Sequence, residues 1–341
     1  SYAQNSLSGA ATVNQIFFLV QQLSIALCDA MIILASQYYG QGRLTPVRKV
    51  VGLALKTGAG LSLFFSLICA VFPGKLLGIF TRDTAIGAEG TRYMRILLFT
   101  FPLFLLTSVL MAALRVAGTV RISFYVSAVS LLVNTAVNYT LIFGRFGFPE
   151  LGIRGAAIST LIARFLEFLI VLWYIRYQDQ KQRLFSEEFM QSGRQLAKDF
   201  VRVAIPVILA GLVWAVSVPL QTAILGHLPG ADASDAIAAN SVATTFYQYL
   251  KVVVSAMSSA SAVMMGQSVG RGSLRRIHSD ARTLSVIDVC IGLVLAFLLF
   301  ILRGPLLARY SLTETALRYA DQIILVMCFV MIGMSYQMPV C

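Results

Sequence analysis

Apolar stretches long enough to cross a bilayer as helices, roughly 20 residues each, recur nine times in this chain of 341 residues. They run approximately over 12–36, 50–72, 96–114, 122–143, 155–175, 203–226, 236–266, 283–302 and 320–340. No other feature narrows the fold so far. Inside hydrocarbon every backbone N–H and C=O needs a partner within the protein, so runs of this length fold as helices. Charge content agrees: 12% of residues are Asp, Glu, Lys or Arg, against about 25% in a soluble domain whose surface faces water. The fold class that follows is all-α, a polytopic membrane protein with lipid as its solvent.

Gly, Pro and charged residues punctuate the runs, at Gly40-Gln41-Gly42-Arg43, Pro73-Gly74-Lys75, residues 144–155 and Leu228-Pro229-Gly230. One long polar connection, Arg176 to Arg202, divides the chain. The division is an N-terminal lobe at 1–178, a linker at 179–202 and a C-terminal lobe at 203–341. The net charge of +12 would suggest nucleic acid in a soluble protein. Here the basic residues sit in gaps between apolar runs, where they act as topology signals and contacts to anionic lipid. No basic patch interleaved with aromatics is present, which excludes a nucleic-acid partner. Alternate loops, starting after the first run and including the linker, hold 15 Lys and Arg; the opposite loops hold nine. That asymmetry places the linker in the cytoplasm. The five cysteines (Cys28, Cys69, Cys290, Cys328, Cys341) lie in or at the end of apolar runs. They match no metal or redox spacing and read as small packing residues.

An internal repeat at an offset of 230 residues organises the chain. Gln37, Gly40, Gly42 and Leu44 recur as Gln267, Gly270, Gly272 and Leu274. Without any gap, Gly74, Leu76 and Leu77 recur as Gly304, Leu306 and Leu307, and Phe80-Thr81 is echoed by Tyr310-Ser311. Six runs separate the two copies of the loop. An even number returns the chain to the same side of the membrane, so the repeat is parallel, an architecture of transporters. The run at 203–226 has no counterpart in the first half, because its equivalent would precede Ser1. The expectation is a piece of a longer chain, about nine of twelve helices in two six-helix bundles. It would lack one helix at the start and two at the end.

A charge inside an apolar run costs about 2.5–3.5 kcal/mol at a helix centre on insertion scales. Each one therefore needs a reason. Arg164 and Glu167 stand three apart on one helix face and can neutralise each other or serve transport. Lys251 and Asp288, on neighbouring runs of the second half, are candidates for a second pair. Asp29 lies two helical turns before Gln37; it is either a coupling carboxylate for proton or sodium or a helix-end acid facing water. Asn134 and Asn138 are one turn apart. Their amides must face a cavity or another helix, as interhelical glue or as ligands of an ion or substrate. The two histidines, His227 and His278, have no metal-spaced partner. No nucleotide-binding or hydrolase motif occurs. A non-enzymatic chain without metal or cofactor follows, driven by a proton, a sodium or a substrate gradient.

The segment Leu114-Arg115-Val116-Ala117-Gly118, then Asn134 to Tyr139, Leu141-Ile142-Phe143-Gly144 and Gly152 to Thr160 resembles the multidrug and toxic compound extrusion (MATE) family. The two Q-x-x-G-x-G loops are similar to that family's repeat-related cytoplasmic loops. The resemblance implies helices two to ten of a twelve-helix, two-lobed exporter with a central cavity. It implies export of organic cations, drugs and other amphipathic small molecules by alternating access, against inward proton or sodium, from the inner (plasma) membrane. It also implies that Asn134 and Asn138 contribute to a cation site, with Thr160 supplying a hydroxyl from the next helix and Asp29 a further contributor. Where some members have Asp, this chain has Asn138. The expected partners are a small-molecule substrate and membrane lipid, and the expected assembly is a monomer. A lipid-linked oligosaccharide flippase of the same superfamily is the alternative. It needs a strongly cationic cavity, for which Lys56, Arg164 and Lys251 are few and scattered.

Overall fold

The computed structural model describes residues 2–79, 84–179, 181, 183–185, 189, 193–226, 232–272, 274–308 and 313–340. Among them every regular element is a helix: α1 (Tyr2–Gly40), α2 (Leu44–Val71), α3 (Pro73–Gly78), α4 (Thr84–Leu97), α5 (Thr100–Val116), α6 (Arg121–Phe143), α7 (Ile153–Tyr177), α8 (Arg194–Gly226), α9 (Asp232–Gly270), α10 (Leu274–Leu307) and α11 (Glu314–Val340). The Phe80-Thr81 and Tyr310-Ser311 echo, His227, Leu228-Pro229-Gly230 and Cys341 lie outside the described residues. Among the described residues eight helices are long and apolar enough to cross a membrane, and the pair α4–α5 makes a ninth if its two arms form one span.

That pair departs from the straight run expected at 96–114. Its arms, Ala85–Leu97 and Thr100–Val116, meet at 47°. Pro102 is the cause. It has no N–H to give the Leu98 carbonyl four residues back, and its ring crowds that carbonyl. The freed oxygen is met instead by the Ser66 hydroxyl of α2, which donates to it at 2.9 Å. The Phe101 N–H adds a longer bond of 3.3 Å. Ahead of the bend, α4 was hidden in a segment that reads as a loop because its apolar face is narrow. Glu89, Gly90, Tyr93, Met94 and Leu97 are buried, while Arg92 and Arg95 point outward.

The repeat reappears as one turn built twice. Helix α1 ends at Gly40 and α2 starts at Leu44; α9 ends at Gly270 and α10 starts at Leu274. In both, the glycine after the helix end is left-handed, Gly42 at φ +72° and Gly272 at φ +74°. The N–H groups of Gln41 and Arg271 close on the carbonyls of Gln37 and Gln267 at 3.2 and 3.1 Å. A side chain with a Cβ resists that backbone, which is why glycine recurs at this position. Downstream the copies diverge. The first breaks at Phe72 and restarts as α3, whereas α10 continues through Pro305.

The chain divides into two compact units, Ser1–Leu212 and Val213–Cys341. In the first, α1 packs on α2, α4 and α5, and α7 on α4, α5 and α6. Val13, Ile16 and Val20 of α1 meet Met94, Leu97, Phe101, Ile153 and Ala157 in its core. Phe17 stacks on Phe101 with ring centroids 5.7 Å apart. In the second unit α9, α10 and α11 pack on one another, around Ala243, Leu299, Ile324 and Met331. The outward faces stay greasy: Leu63, Phe64 and Leu67 on α2, Leu131 and Leu132 on α6, and Val294 and Phe297 on α10 are all exposed. Lipid covers such faces at no penalty, where water would not.

Candidate functional site

Helices α6 and α7 form a hairpin whose joint sets the depth of everything between them. Gly144 ends α6 in a left-handed conformation, φ +60°. The Leu151 N–H reaches back to the Leu141 carbonyl at 2.9 Å. Gly155 then lies so close to Leu141 that a Cβ there would stand 2.8 Å from its carbonyl oxygen. With the backbones in contact at that point, short polar side chains one turn deeper can touch across the pair.

They do. The Asn138 amide nitrogen donates to Oδ1 of Asn134 at 2.5 Å, and the Ser159 hydroxyl on α7 shares its one proton between Oδ1 of Asn138 at 2.5 Å and the Ala156 carbonyl of its own helix at 2.9 Å. Ser159 is fully buried, and the two asparagines are half-buried. Each amide oxygen accepts one of these bonds and keeps a second lone pair. Thr160 stands next to this group, with its hydroxyl donating to the Ala156 carbonyl of its own helix at 2.9 Å. Ser159 escaped the sequence reading, although it follows Gly155 by one turn and so shares the face that Gly155 presses onto α6. The outcome is a cluster of oxygens between two otherwise greasy helices, the donor type that hard cations take.

Asp29 stands apart on α1, half-buried; Arg115 at the end of α5 is the cation whose field acts on it. Beyond Arg115 the turn closes through Gly118, left-handed at φ +71°, and the Lys181 ammonium donates to the Ala117 carbonyl at 3.3 Å. Arg164 and Glu167 form an ion pair at 2.7 Å, and the Arg164 guanidinium also lies over the Phe104 ring, 4.9 Å from its centre.

Lys251 and Asp288 do not pair. The Lys251 ammonium sits over the Trp214 ring at 4.0 Å, drawn by the ring quadrupole. Asp288 accepts a hydrogen bond from the Ser261 hydroxyl of α9 at 2.9 Å. The turn at Gly272 fixes this register, since Ser268 also bonds Asp280 across it. Ser261 lies ten residues along α9 from Lys251, about 15 Å at 1.5 Å per residue, beyond the reach of a lysine side chain. Of the cysteines, Cys28, Cys69 and Cys328 are buried, whereas Cys290 is on an exposed face.

Similarity to known proteins follows the same lines. A family model named MatE matches residues 1–140 and 206–341. The chain is similar to the probable multidrug resistance protein YoeA of Bacillus subtilis (strain 168), 23% identical over 324 residues, which is 94% of this chain and 69% of that protein. It is also similar to the probable multidrug resistance protein NorM of Thermotoga maritima, 25% identical over 319 residues, 91% of this chain and 66% of that protein. The chain thus spans about two thirds of the length of these relatives. Its fold matches that of a multidrug resistance MATE family transporter of the MOP superfamily, solved in an outward-facing conformation. The TM-score is 0.84 at 15% identity, over 98% of this chain and 73% of that one. The repeated turn, the apolar spans and the matched family model agree, and this chain belongs to the multidrug and toxic compound extrusion (MATE) family of membrane transporters.

Proposed function

We propose that this chain is part of a secondary active exporter that moves organic cations, drugs and other amphipathic small molecules out across the plasma membrane. Inward flow of protons or sodium drives it by alternating access. The observation that carries this reading is the Asn134–Asn138–Ser159 cluster between α6 and α7. Two amides and a hydroxyl at depth in a bilayer are costly to keep, and their spare oxygen lone pairs suit a small cation. Thr160, the next residue along α7, is a further hydroxyl candidate for the same cation. Asp29, apart from this cluster on α1, is a separate candidate for coupling. The names of the relatives, both probable multidrug resistance proteins, favour drug export over a flippase. So does the charge inventory: Arg164 is neutralised by Glu167 and Lys251 is capped by Trp214, which leaves little to hold a pyrophosphate.

The test uses everted membrane vesicles containing the full-length protein and a fluorescent organic cation, under an imposed proton gradient and then an imposed sodium gradient. The expected result is dye movement under one ion, lost when that gradient is collapsed. Asn134→Ala should abolish movement with expression retained. Full transport in that variant removes the asparagine pair from the mechanism, and no movement under either ion by folded wild-type protein overturns the antiport reading.

A further inference from the structure

The second unit contains a carboxylate that the α6–α7 cluster does not explain. Asp288 is only 3% exposed, midway along α10 and within the apolar span Ile277–Leu307. Its Oδ2 accepts from Ser261, while its Oδ1 is buried with no hydrogen-bond partner. An ionised carboxylate with one unsatisfied oxygen, shut away from water, carries a desolvation cost of several kcal/mol. Lys251 of the same unit is held over Trp214 instead. Toward the helix ends, Arg303 pairs with Asp321 at 3.4 Å and Asp280 accepts from Ser268.

Packing does not demand an acid here. At the repeat-related positions the first unit has Met31 for Ser261 and Gly58 for Asp288. Met31 is fully buried, and Gly58 lets Leu105 approach to within 2.3 Å of where a Cβ would stand. The same two positions after the same turn are therefore apolar in one half. In the other half they carry a carboxylate and a hydroxyl. A second hydroxyl is close by: Gly292, one turn beyond Asp288, has Ser335 of α11 packed against it. The Ser335 hydroxyl donates to Ile332 at 2.7 Å, which leaves its oxygen lone pairs available as acceptors.

We propose that Asp288, with Ser261 and the Ser335 hydroxyl at its margin, is a monovalent-cation site in the second unit, separate from the asparagine cluster of the first. Its occupant is a sodium ion, which brings one positive charge to Oδ1 of Asp288. The site does not depend on the asparagine cluster being a coupling site, because binding at Asp288 is measured without transport.

The test is equilibrium binding of radioactive sodium to the purified, detergent-solubilised full-length protein. Wild type, Asp288→Asn, Ser261→Ala and Asn138→Leu are compared, with thermal melting to report folding. The expected result is one bound sodium that is absent in Asp288→Asn and retained in Asn138→Leu. In Ser261→Ala the same event should persist with affinity about tenfold weaker, the loss of one hydrogen bond to a charged group. Equal sodium counts in wild type and Asp288→Asn overturn the proposal. If Asp288→Asn does not fold, unchanged affinity in Ser261→Ala overturns it.

Discussion

Pro102 removes one backbone donor from the middle of a span, and Ser66 on another helix replaces it at the Leu98 carbonyl. Neither residue announces the other, because they meet only once α2 and α5 are packed. Ser66→Ala should destabilise the protein by about 1–3 kcal/mol, the cost of a buried acceptor left short of its partner, seen as a lower melting temperature in detergent. In a Pro102→Ala background residue 102 has its own N–H, so the same serine change should cost much less. Equal costs in the two backgrounds would refute the replacement. The asparagine cluster allows a second comparison. Ser159 touches Asn138 and Thr160 is turned to its own helix. Ser159→Ala should therefore weaken cation-driven dye export more than Thr160→Ala, measured as the cation concentration giving half-maximal transport. The asparagine pair was legible because a one-turn spacing puts two amides on one face. Ser159 was not singled out because one serine among many carries no spacing signal until Gly155 marks the contact face.

Among the elements, the duplicated turn gives the sharpest expectation. Gly42 and Gly272 share a left-handed backbone, and a Cβ at either would meet nothing within 4 Å, so the penalty for substitution is conformational and not steric. Gly42→Val and Gly272→Val should each destabilise by about 1–2 kcal/mol, while Asn at either position should be nearly neutral, as read by thermal melting. Gly155 differs in kind. Ala there would press on the Leu141 backbone, which cannot rotate away, and Gly155→Ala should cost about 1–3 kcal/mol and part α6 from α7. The long apolar helices were legible by length alone. Helices α3 and α4 were not, since their polar content resembles a loop until α1 and α7 cover the buried face of α4. The Lys251–Asp288 expectation failed for a related reason. Charge type was legible, but the partner depended on register counted back from Gly272, and that register gives Asp288 to Ser261.

For the molecule as a whole, the bent pair α4–α5 decides the topology. Counted as one crossing, it leaves six spans between the two glycine turns and returns both to one face, as a parallel repeat requires; left out, the count is odd and the halves invert. The prediction is that cysteines introduced at Gln41 and Gln195, in a cysteine-free background, are labelled from the cytoplasmic side, and one at Arg145 from the opposite side. Labelling of Gln41 and Gln195 from opposite sides would show that the pair does not cross. By itself the sequence determined the helical class, the membrane as solvent, the repeat and the family resemblance, because each depends on run length, spacing or local backbone preference. Only the tertiary structure decided where Pro102 bends its span, that Ser159 joins the asparagines and that Asp288 is left with an unpaired oxygen. Those outcomes depend on which faces meet and at what register, and register is set by close approach between helices far apart in the chain.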